Sequence, residues 1–288
     1  HHFEVESELA AKLRASTREE RPALFKELYN ELFERVPDHP RLTRRESPEE
    51  SRQKVAGQMR LLQSFLSPAT AVVEFAPGDC RLSYEVAKQV RSVHGVDISD
   101  QRSAADIRMA PANFELTVYD GYRLELPDGL ANVVFSYQFL EHLHPEDLLP
   151  HCQIARRLLQ PDGYYVLDTP HRYSGPHDIS RCFGDELRGF HFQEWTYRDL
   201  SQLLRQAGFE QVYPVKRGRV LRGLSAQLFL AAEWLTGCLP KALRRRIAER
   251  LFLTVAVAAK TPSKGCCAVT VPLLVCGSRN LHPLGKQT

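Results

Sequence analysis

Residues 71–97, AVVEFAPGDCRLSYEVAKQVRSVHGVD, restrict the fold of this chain more than any other stretch. An apolar run from Ala71 to Phe75, broken only by Glu74, leads into the turn Ala76-Pro77-Gly78-Asp79-Cys80. Apolar residues at helical spacing follow (Leu82, Val86, Ala87, Val90), and a second apolar run, Val93 to Val96, ends on Asp97. Strand, glycine turn, helix, strand and terminal acid make a nucleotide-binding half of a doubly wound sheet. Each part has a chemical reason. Glycine has no side chain to keep a ligand off the backbone. The start of a helix presents unpaired amide N–H groups to an anionic group. A carboxylate closing the next strand can accept both hydroxyl protons of a ribose.

The rest of the chain continues the alternation. Phe114 to Val118, Ala131 to Ser136, Tyr164 to Leu167 and Glu210 to Val215 read as further strands. Between them lie a helix over 145–159 and one capped by Thr196, with Leu200, Leu203, Leu204 and Ala207 inward. Short strands alternating with helices predict an α/β fold around a largely parallel sheet. Ahead of it, 1–67 reads as a helical cap. Residues 3–36 have helical rhythm with Pro22 in a first turn, and Ser47-Pro48-Glu49-Glu50 opens a helix with Val55, Met59, Leu62 and Leu66 on one face. Such helices lie across the mouth of a ligand pocket or over one end of the sheet.

Composition narrows the partners. With 38 basic and 35 acidic residues the net charge is +3, too balanced to indicate nucleic acid. Seven scattered cysteines without zinc-site spacing suit a reducing, cytoplasmic compartment. His1-His2 reads as a tag remnant, the charged segment after it does not read as a signal peptide, and no run approaches the ~20 apolar residues of a membrane span.

Residues 70–216 resemble a class I S-adenosylmethionine-dependent methyltransferase of the small-molecule branch. Glu74-Phe75-Ala76-Pro77-Gly78-Asp79-Cys80 is similar to that family's acid-x-Gly-x-Gly-x-Gly turn, with Ala76 and Cys80 standing where glycines are usual. Val96-Asp97-Ile98 resembles its ribose-binding acid, and Asp120-Gly121 the acid near the adenine amino group. Leu140-Glu141-His142-Leu143 resembles the segment after the fourth strand, and Leu159-Gln160-Pro161-Asp162-Gly163-Tyr164 the turn into the fifth. The resemblance implies a doubly wound, seven-stranded, mostly parallel sheet whose last strand is antiparallel and inserts between the fifth and sixth. Two segments compete for that strand, Thr254 to Ala259 and Ala268 to Cys276. Pro272 cannot donate to a ladder, which favours the first. The methyltransferase domain then covers 68–262 with a helical insertion at 219–253, and 263–288 is an appended tail.

The resemblance also implies S-adenosylmethionine as cofactor and in-line displacement as the reaction. Its cofactor-binding positions are Glu74, Ala76 and Gly78 in the turn, Asp97 and Ile98 at the ribose, and Asp120 and Gly121 at the adenine. Tyr137, just past the fourth strand, falls where the sulfonium end comes to rest. A dinucleotide oxidoreductase needs Gly-x-Gly-x-x-Gly, of which only the middle glycine is present, and Asp79 would stand beside two phosphates. Histidines cluster in the connections at the carboxyl edge, and His142, His191 and His177 are the candidates for a base taking a hydroxyl proton from the acceptor. His171, His177, Asp178 and His191 match no metal-ligand spacing, and no metal is assigned. The expected acceptor is a small molecule or sugar, methylated on oxygen; the alternative is a non-catalytic adenosyl-ligand-binding or protein-interaction module on the same fold. Over 239–253, Leu239, Leu243, Ile247 and Leu251 form a stripe opposite Lys241, Arg244, Arg245 and Arg250. That pattern suits a helix packed on the domain by its stripe, or an interfacial helix making peripheral contact with an anionic membrane.

Overall fold

The computed structural model describes residues 1–39 and 47–264. Its sheet comprises β1 (Ala71–Phe75), β2 (Ser92–Asp97), β3 (Phe114–Val118), β4 (Ala131–Tyr137), β5 (Leu159–Pro170), β6 (Gln211–Lys216), β7 (Arg219–Val220) and β8 (Thr254–Lys260), in the order β3-β2-β1-β4-β5-β8-β6-β7. The first five strands run parallel. The expected 254–259 run forms β8, antiparallel to both β5 and β6. The competing run at 268–276 lies outside the described residues. The sheet has eight strands rather than seven, because Arg217 and Gly218, both with positive φ (51° and 76°), turn the chain back so that β7 pairs with β6. Positive φ at both turn residues matches the twist of a two-residue hairpin.

The helices are α1 (His2–Ala15), α2 (Arg21–Arg35), α3 (Pro48–Leu62), α4 (Arg81–Ala87), α5 (Ala104–Arg108), α6 (Pro145–Leu158), α7 (Tyr197–Gln206), α8 (Gly223–Gly237) and α9 (Lys241–Leu251). The caps read from the sequence are formed. Ser47 and Glu50 make both bonds of a capping box, and Thr196 accepts the amide of Asp199 at 3.1 Å. Alternation along the strands sends Val73 and Phe75 to one face and Val72 to the other. The first face is covered by α6, α7 and Phe252, the second by α3 and α4.

The N-terminal helices divide between two jobs. The α3 helix joins the sheet's own core, whereas α1 and α2 build a separate apolar cluster around Val5, Leu9, Leu13, Leu28 and Leu32. Phe190 and Phe192, from the connection between β5 and α7, complete that cluster. Arg21 is fully buried and bonds Asp147 and Glu146 at the start of α6, while the Tyr122 hydroxyl donates to the same Asp147 oxygen at 2.9 Å. The α1–α2 pair therefore sits against the connections that leave the carboxyl ends of β4 and β5.

The α9 stripe does not face inward. Leu243 and Leu251 are 47% and 49% exposed, and the inward line runs through Ala248 and Phe252. These two stand one turn apart, and Phe252 is anchored between His171 and Phe229, so the entry into β8 fixes the rotation of α9. The basic side chains are partly engaged: Arg245 meets Asp185, and Arg244 lies over the Tyr173 ring.

The α8 helix is tied down by one buried polar contact. Glu233 Oε1 takes His171 Nε2 at 2.7 Å and the Tyr197 amide at 2.7 Å, and His171 Nδ1 accepts the Tyr173 amide. That amide bond leaves Nε2 as the donor to Glu233. Glu233→Ala strips acceptors from two buried donors and should cost about 2–4 kcal/mol of unfolding free energy in urea titrations. Glu233→Gln, which keeps a carbonyl acceptor, should cost less than half of that. Equal losses for the two variants would refute this account of how α8 is held.

Candidate functional site

The turn after β1 carries three left-handed residues, at every second position: Ala76 (φ 53°), Gly78 (φ 57°) and Cys80 (φ 63°). Only glycine adopts this region without strain, and an L-residue there costs roughly 1–2 kcal/mol. The backbone thus keeps the shape of a three-glycine turn although two of its three glycines are replaced. The strain is held by what surrounds it. The Ala76 amide donates to Val96 O at 2.8 Å, and Cys80, fully buried with its thiol pushed up to about 12 by burial, is the N-cap of α4. A Cβ at Gly78 would meet nothing within 4 Å, so the turn opens onto space there.

Four acids line the carboxyl edge of the sheet, and all are buried: Glu74, Asp97, Glu141 and Asp168. Each is held by neutral donors. Glu74 accepts the Ser83 hydroxyl at 2.5 Å, and Asp97 accepts the amides of Gly78 (3.2 Å) and Ser99 (3.3 Å). Asp168 accepts Gln138 Nε2 (2.6 Å) and the Thr254 hydroxyl (2.7 Å), and Glu141 Oε2 accepts the Thr169 hydroxyl (2.9 Å). Glu141 Oε1 is buried without a hydrogen-bond partner. Burial pushes the carboxyls of Glu74 and Glu141 up to about 7 and that of Asp168 up to about 6, and it raises Asp97 as well.

Of the expected cofactor positions, Gly78 meets Asp97 through its amide. Tyr119, just past β3, donates its amide to Asp97 O at 3.0 Å, and a Cβ at Gly121 would lie 3.7 Å from Ile98 Cγ2. Asp120 is exposed and folded into its own turn, accepting the amides of Tyr122 and Arg123 at 2.8 and 2.6 Å. Tyr137 is half-buried at the end of β4, directly beside Asp168 of β5.

Two of the three candidate bases come together. The His142 and His191 rings stand edge to face, 4.9 Å apart. His142 Nδ1 bonds the Phe190 carbonyl (3.1 Å), and His191 Nδ1 bonds Glu194 Oε1 (3.1 Å). Burial works against a charged His191, but Glu194, Glu141 and Asp178 outweigh it and raise its pKa. His177 is tied differently. Its amide shares Glu194 Oε1, while its ring turns to the Ser174 hydroxyl at 2.9 Å. His171 is committed to Glu233, so the grouping His171, His177, Asp178 and His191 is not what the fold assembles. The partners that sequence reasoning passed over as site residues are Glu141, Asp168 and Glu194. Their only signal was an acid in an otherwise apolar or aromatic context.

The connection bearing His191 is fixed from the N-terminal side. The Arg14 guanidinium donates to the carbonyls of Leu187, Arg188, Gly189 and His191. Leu13, Phe25, Leu28, Phe190 and Phe192 enclose a small cleft with His142 at its wall.

Comparisons with known proteins agree with this fold. Residues 72–163 match the family model described as a methyltransferase domain. A probable S-adenosylmethionine-dependent methyltransferase of Mycolicibacterium smegmatis is 30% identical over 125 residues, covering 43% of this chain and 46% of that protein. One from Mycobacterium tuberculosis is 29% identical over 127 residues, 44% of each. The chain therefore spans about half the length of the curated relatives it matches. Among solved structures, phosphoethanolamine N-methyltransferase 1 of Haemonchus contortus, in complex with phosphoethanolamine and S-adenosylhomocysteine, aligns with a TM-score of 0.54 at 14% identity over 87% of this chain and 51% of that one. A putative Haloferax volcanii methyltransferase in complex with the Trm112 activator aligns at 0.53 with 13% identity, over 74% and 92%. At such identities the likeness is one of fold.

Glu74 gives the site a pH signature. In the unfolded chain it ionises near 4.5, whereas in the fold it holds its proton to about 7. Between those values the unfolded state loses a proton that the native state keeps. Stability therefore falls as pH rises through this window and stays reduced above it, by about 3 kcal/mol. Urea titrations from pH 4 to 8 should show this loss in the wild type and not in Glu74→Gln, other groups cancelling in the difference. Parallel curves would show that Glu74 ionises normally.

Proposed function

We propose that this chain, whose residues 72–163 match a methyltransferase-domain model, is a class I S-adenosylmethionine-dependent methyltransferase that moves a methyl group from S-adenosylmethionine to a hydroxyl of a small molecule or sugar by in-line displacement. The observation that carries this reading is the row of four buried carboxylates, none of which forms an ion pair with Lys or Arg among the described residues. Such an edge attracts the sulfonium and ammonium charges of S-adenosylmethionine and repels the two phosphates of a dinucleotide. The turn fits the group as well, since the backbone at Gly78 faces open space that a side chain would fill.

When bound, S-adenosylmethionine supplies an already activated methyl group, so the chain's own residues mainly bind, align and exclude water. Asp97 keeps lone pairs beyond its two amide bonds and would take the ribose hydroxyls. Glu74, behind the turn, would bias the pocket toward the ammonium end. Ile98 would border the ribose, Asp120 and Gly121 the adenine, and Tyr137 the sulfonium. On the acceptor side, His142 and His191 would receive the hydroxyl, with Glu194 orienting His191 through Nδ1, and His177 would help to fix that connection.

Asp97→Ala should weaken S-adenosylmethionine binding by one to two orders of magnitude, about 1.5–3 kcal/mol, with the fold intact by circular dichroism. Unchanged affinity in calorimetry would sink the cofactor assignment. Tight binding with no methyl transfer to any hydroxylated acceptor would favour the non-catalytic binding module instead.

A second reading concerns the insertion. Leu224, Leu228, Trp234 and Leu235 of α8 are 58–69% exposed, and α9 carries exposed Leu243 and Leu251 together with exposed Arg246 and Arg250. Among the described residues no helix is long and apolar enough to cross a membrane. Apolar anchors with adjacent cations favour peripheral contact with an anionic lipid surface. The chain should co-sediment with phosphatidylserine-containing vesicles at low salt, release at high salt, and lose binding on Leu228→Ala/Trp234→Ala. Failure to sediment at low salt would remove this reading.

A further inference from the structure

We propose that Glu141, His142 and His191 bind a divalent first-row transition cation, held beside the end of β4. The argument starts from the chain. β4 ends in the short turn Leu140–His142, which places an acid and a histidine side by side, and the connection before α7 returns His191 against them. One donor atom from each of the three residues lies within 4.8 Å of the others. Two donors about 2.1 Å from a shared cation stand roughly 3.0–3.5 Å apart, so small side-chain rotations close the set.

Three features set this cluster apart from a chance meeting of polar groups. Glu141 is fully buried, one of its oxygens is held by Thr169, and the other, Oε1, has no hydrogen-bond partner. A buried carboxylate oxygen without a donor is costly unless a ligand meets it. Each histidine, in turn, has its Nδ1 on an oxygen acceptor, the Phe190 carbonyl for His142 and the Glu194 carboxylate for His191. Those bonds place the N–H on Nδ1 and the lone pair of a neutral ring on Nε2, as in histidines that ligate metals through Nε2. Finally, the connection that delivers His191 is clamped by Arg14 through four carbonyls, which fixes the ring before any ion arrives.

The second histidine–acid group, His2, Glu6 and His39, lacks this character. Glu6 already accepts from His2 and from the Phe190 amide.

The donor set selects the ion. Two imidazoles and one carboxylate suit Mn, Fe, Co, Ni or Zn over Mg or Ca, which prefer all-oxygen sites. Three protein donors leave coordination positions open to an exogenous oxygen. If the methyl-transfer reading holds, that oxygen is the acceptor hydroxyl. Coordinated, it gives its proton to solvent water near neutrality, its oxygen bonds the methyl carbon as the carbon–sulfur bond breaks, and the thioether leaves. The cation's role in catalysis rests on that reading; its binding does not.

The test uses the full chain carrying His2→Ala, which removes the other cluster, stripped with chelator and titrated with Co(II) and Zn(II). Expected are one equivalent of metal per chain by elemental analysis, visible Co(II) d–d bands, and a raised melting temperature. His142→Ala, His191→Ala and Glu141→Gln should each weaken binding at least tenfold, while their metal-free melting curves report that they fold. Absence of stoichiometric uptake, or uptake unaffected in all three folded variants, would overturn the site. S-adenosylhomocysteine calorimetry on the same metal-free protein separates the two ideas. Cation binding without adenosyl-ligand binding would support the metal site while overturning the methyl-transfer reading.

Discussion

Four buried carboxylates on one edge of a parallel sheet, satisfied by hydroxyls and amides rather than by cations, are the constraint to which the rest of this structure answers. A buried acid without an ion-pair partner is expensive, and its cost falls only if it keeps a proton or finds a positive ligand. Here burial raises Glu74, Glu141 and Asp168 into the range of physiological pH, so the edge is poised to take up positive charge. The proposed cofactor and cation sites would answer the same electrostatic demand, one at the β1–β2 end and the other beyond β4.

The β1–β2 end was legible because its logic is local. The two strands, the turn and the acid of 71–97 appear within a residue of where their pattern places them, whereas the helix ends at Ala87, short of Val90, and Asp97 meets the glycine turn through the Gly78 amide. Choosing 254–259 for the inserted strand needed one fact about proline and no tertiary information. By contrast, the left-handed backbone at Ala76 and Cys80 is invisible to propensity, since neither residue signals positive φ. It is enforced by neighbours: the Ala76 amide's bond to Val96 O of β2, and the burial of Cys80 at the N-cap of α4.

The proposed acceptor side was only half legible. Histidine density singled out the connections after β4 and β5, yet which rings meet depends on contacts spanning tens of residues. His191 reaches His142 because Arg14, from α1, holds the intervening carbonyls, and because Phe190 and Phe192 are claimed by the α1–α2 cluster. His171, equally prominent in sequence, is diverted by Glu233 from a helix sixty residues away. The α9 stripe failed for a related reason. Periodicity located an apolar line, but the Ala248–Phe252 anchor entering β8 decided which line is buried.

These contacts also bear on how the two sides of the site are joined. Helices α1 and α2 act on the β4 and β5 connections, through Arg14, Arg21 and Glu6, whereas α3 reaches the start of α4, where Ser51 accepts from Arg81. The sheet alone can form the proposed cofactor edge, because Asp97, Gly78 and Glu74 are positioned by strand pairing and α4. The proposed acceptor edge has no such scaffold, since His142 and His191 lie in connections beyond the strands that a sheet cannot hold in place. Helices α1 and α2 supply that rigidity with a charged clamp on carbonyls and an aromatic plug. The division follows from the topology: parallel strands fix what lies at their ends, and whatever lies further out must be held by something packed across it.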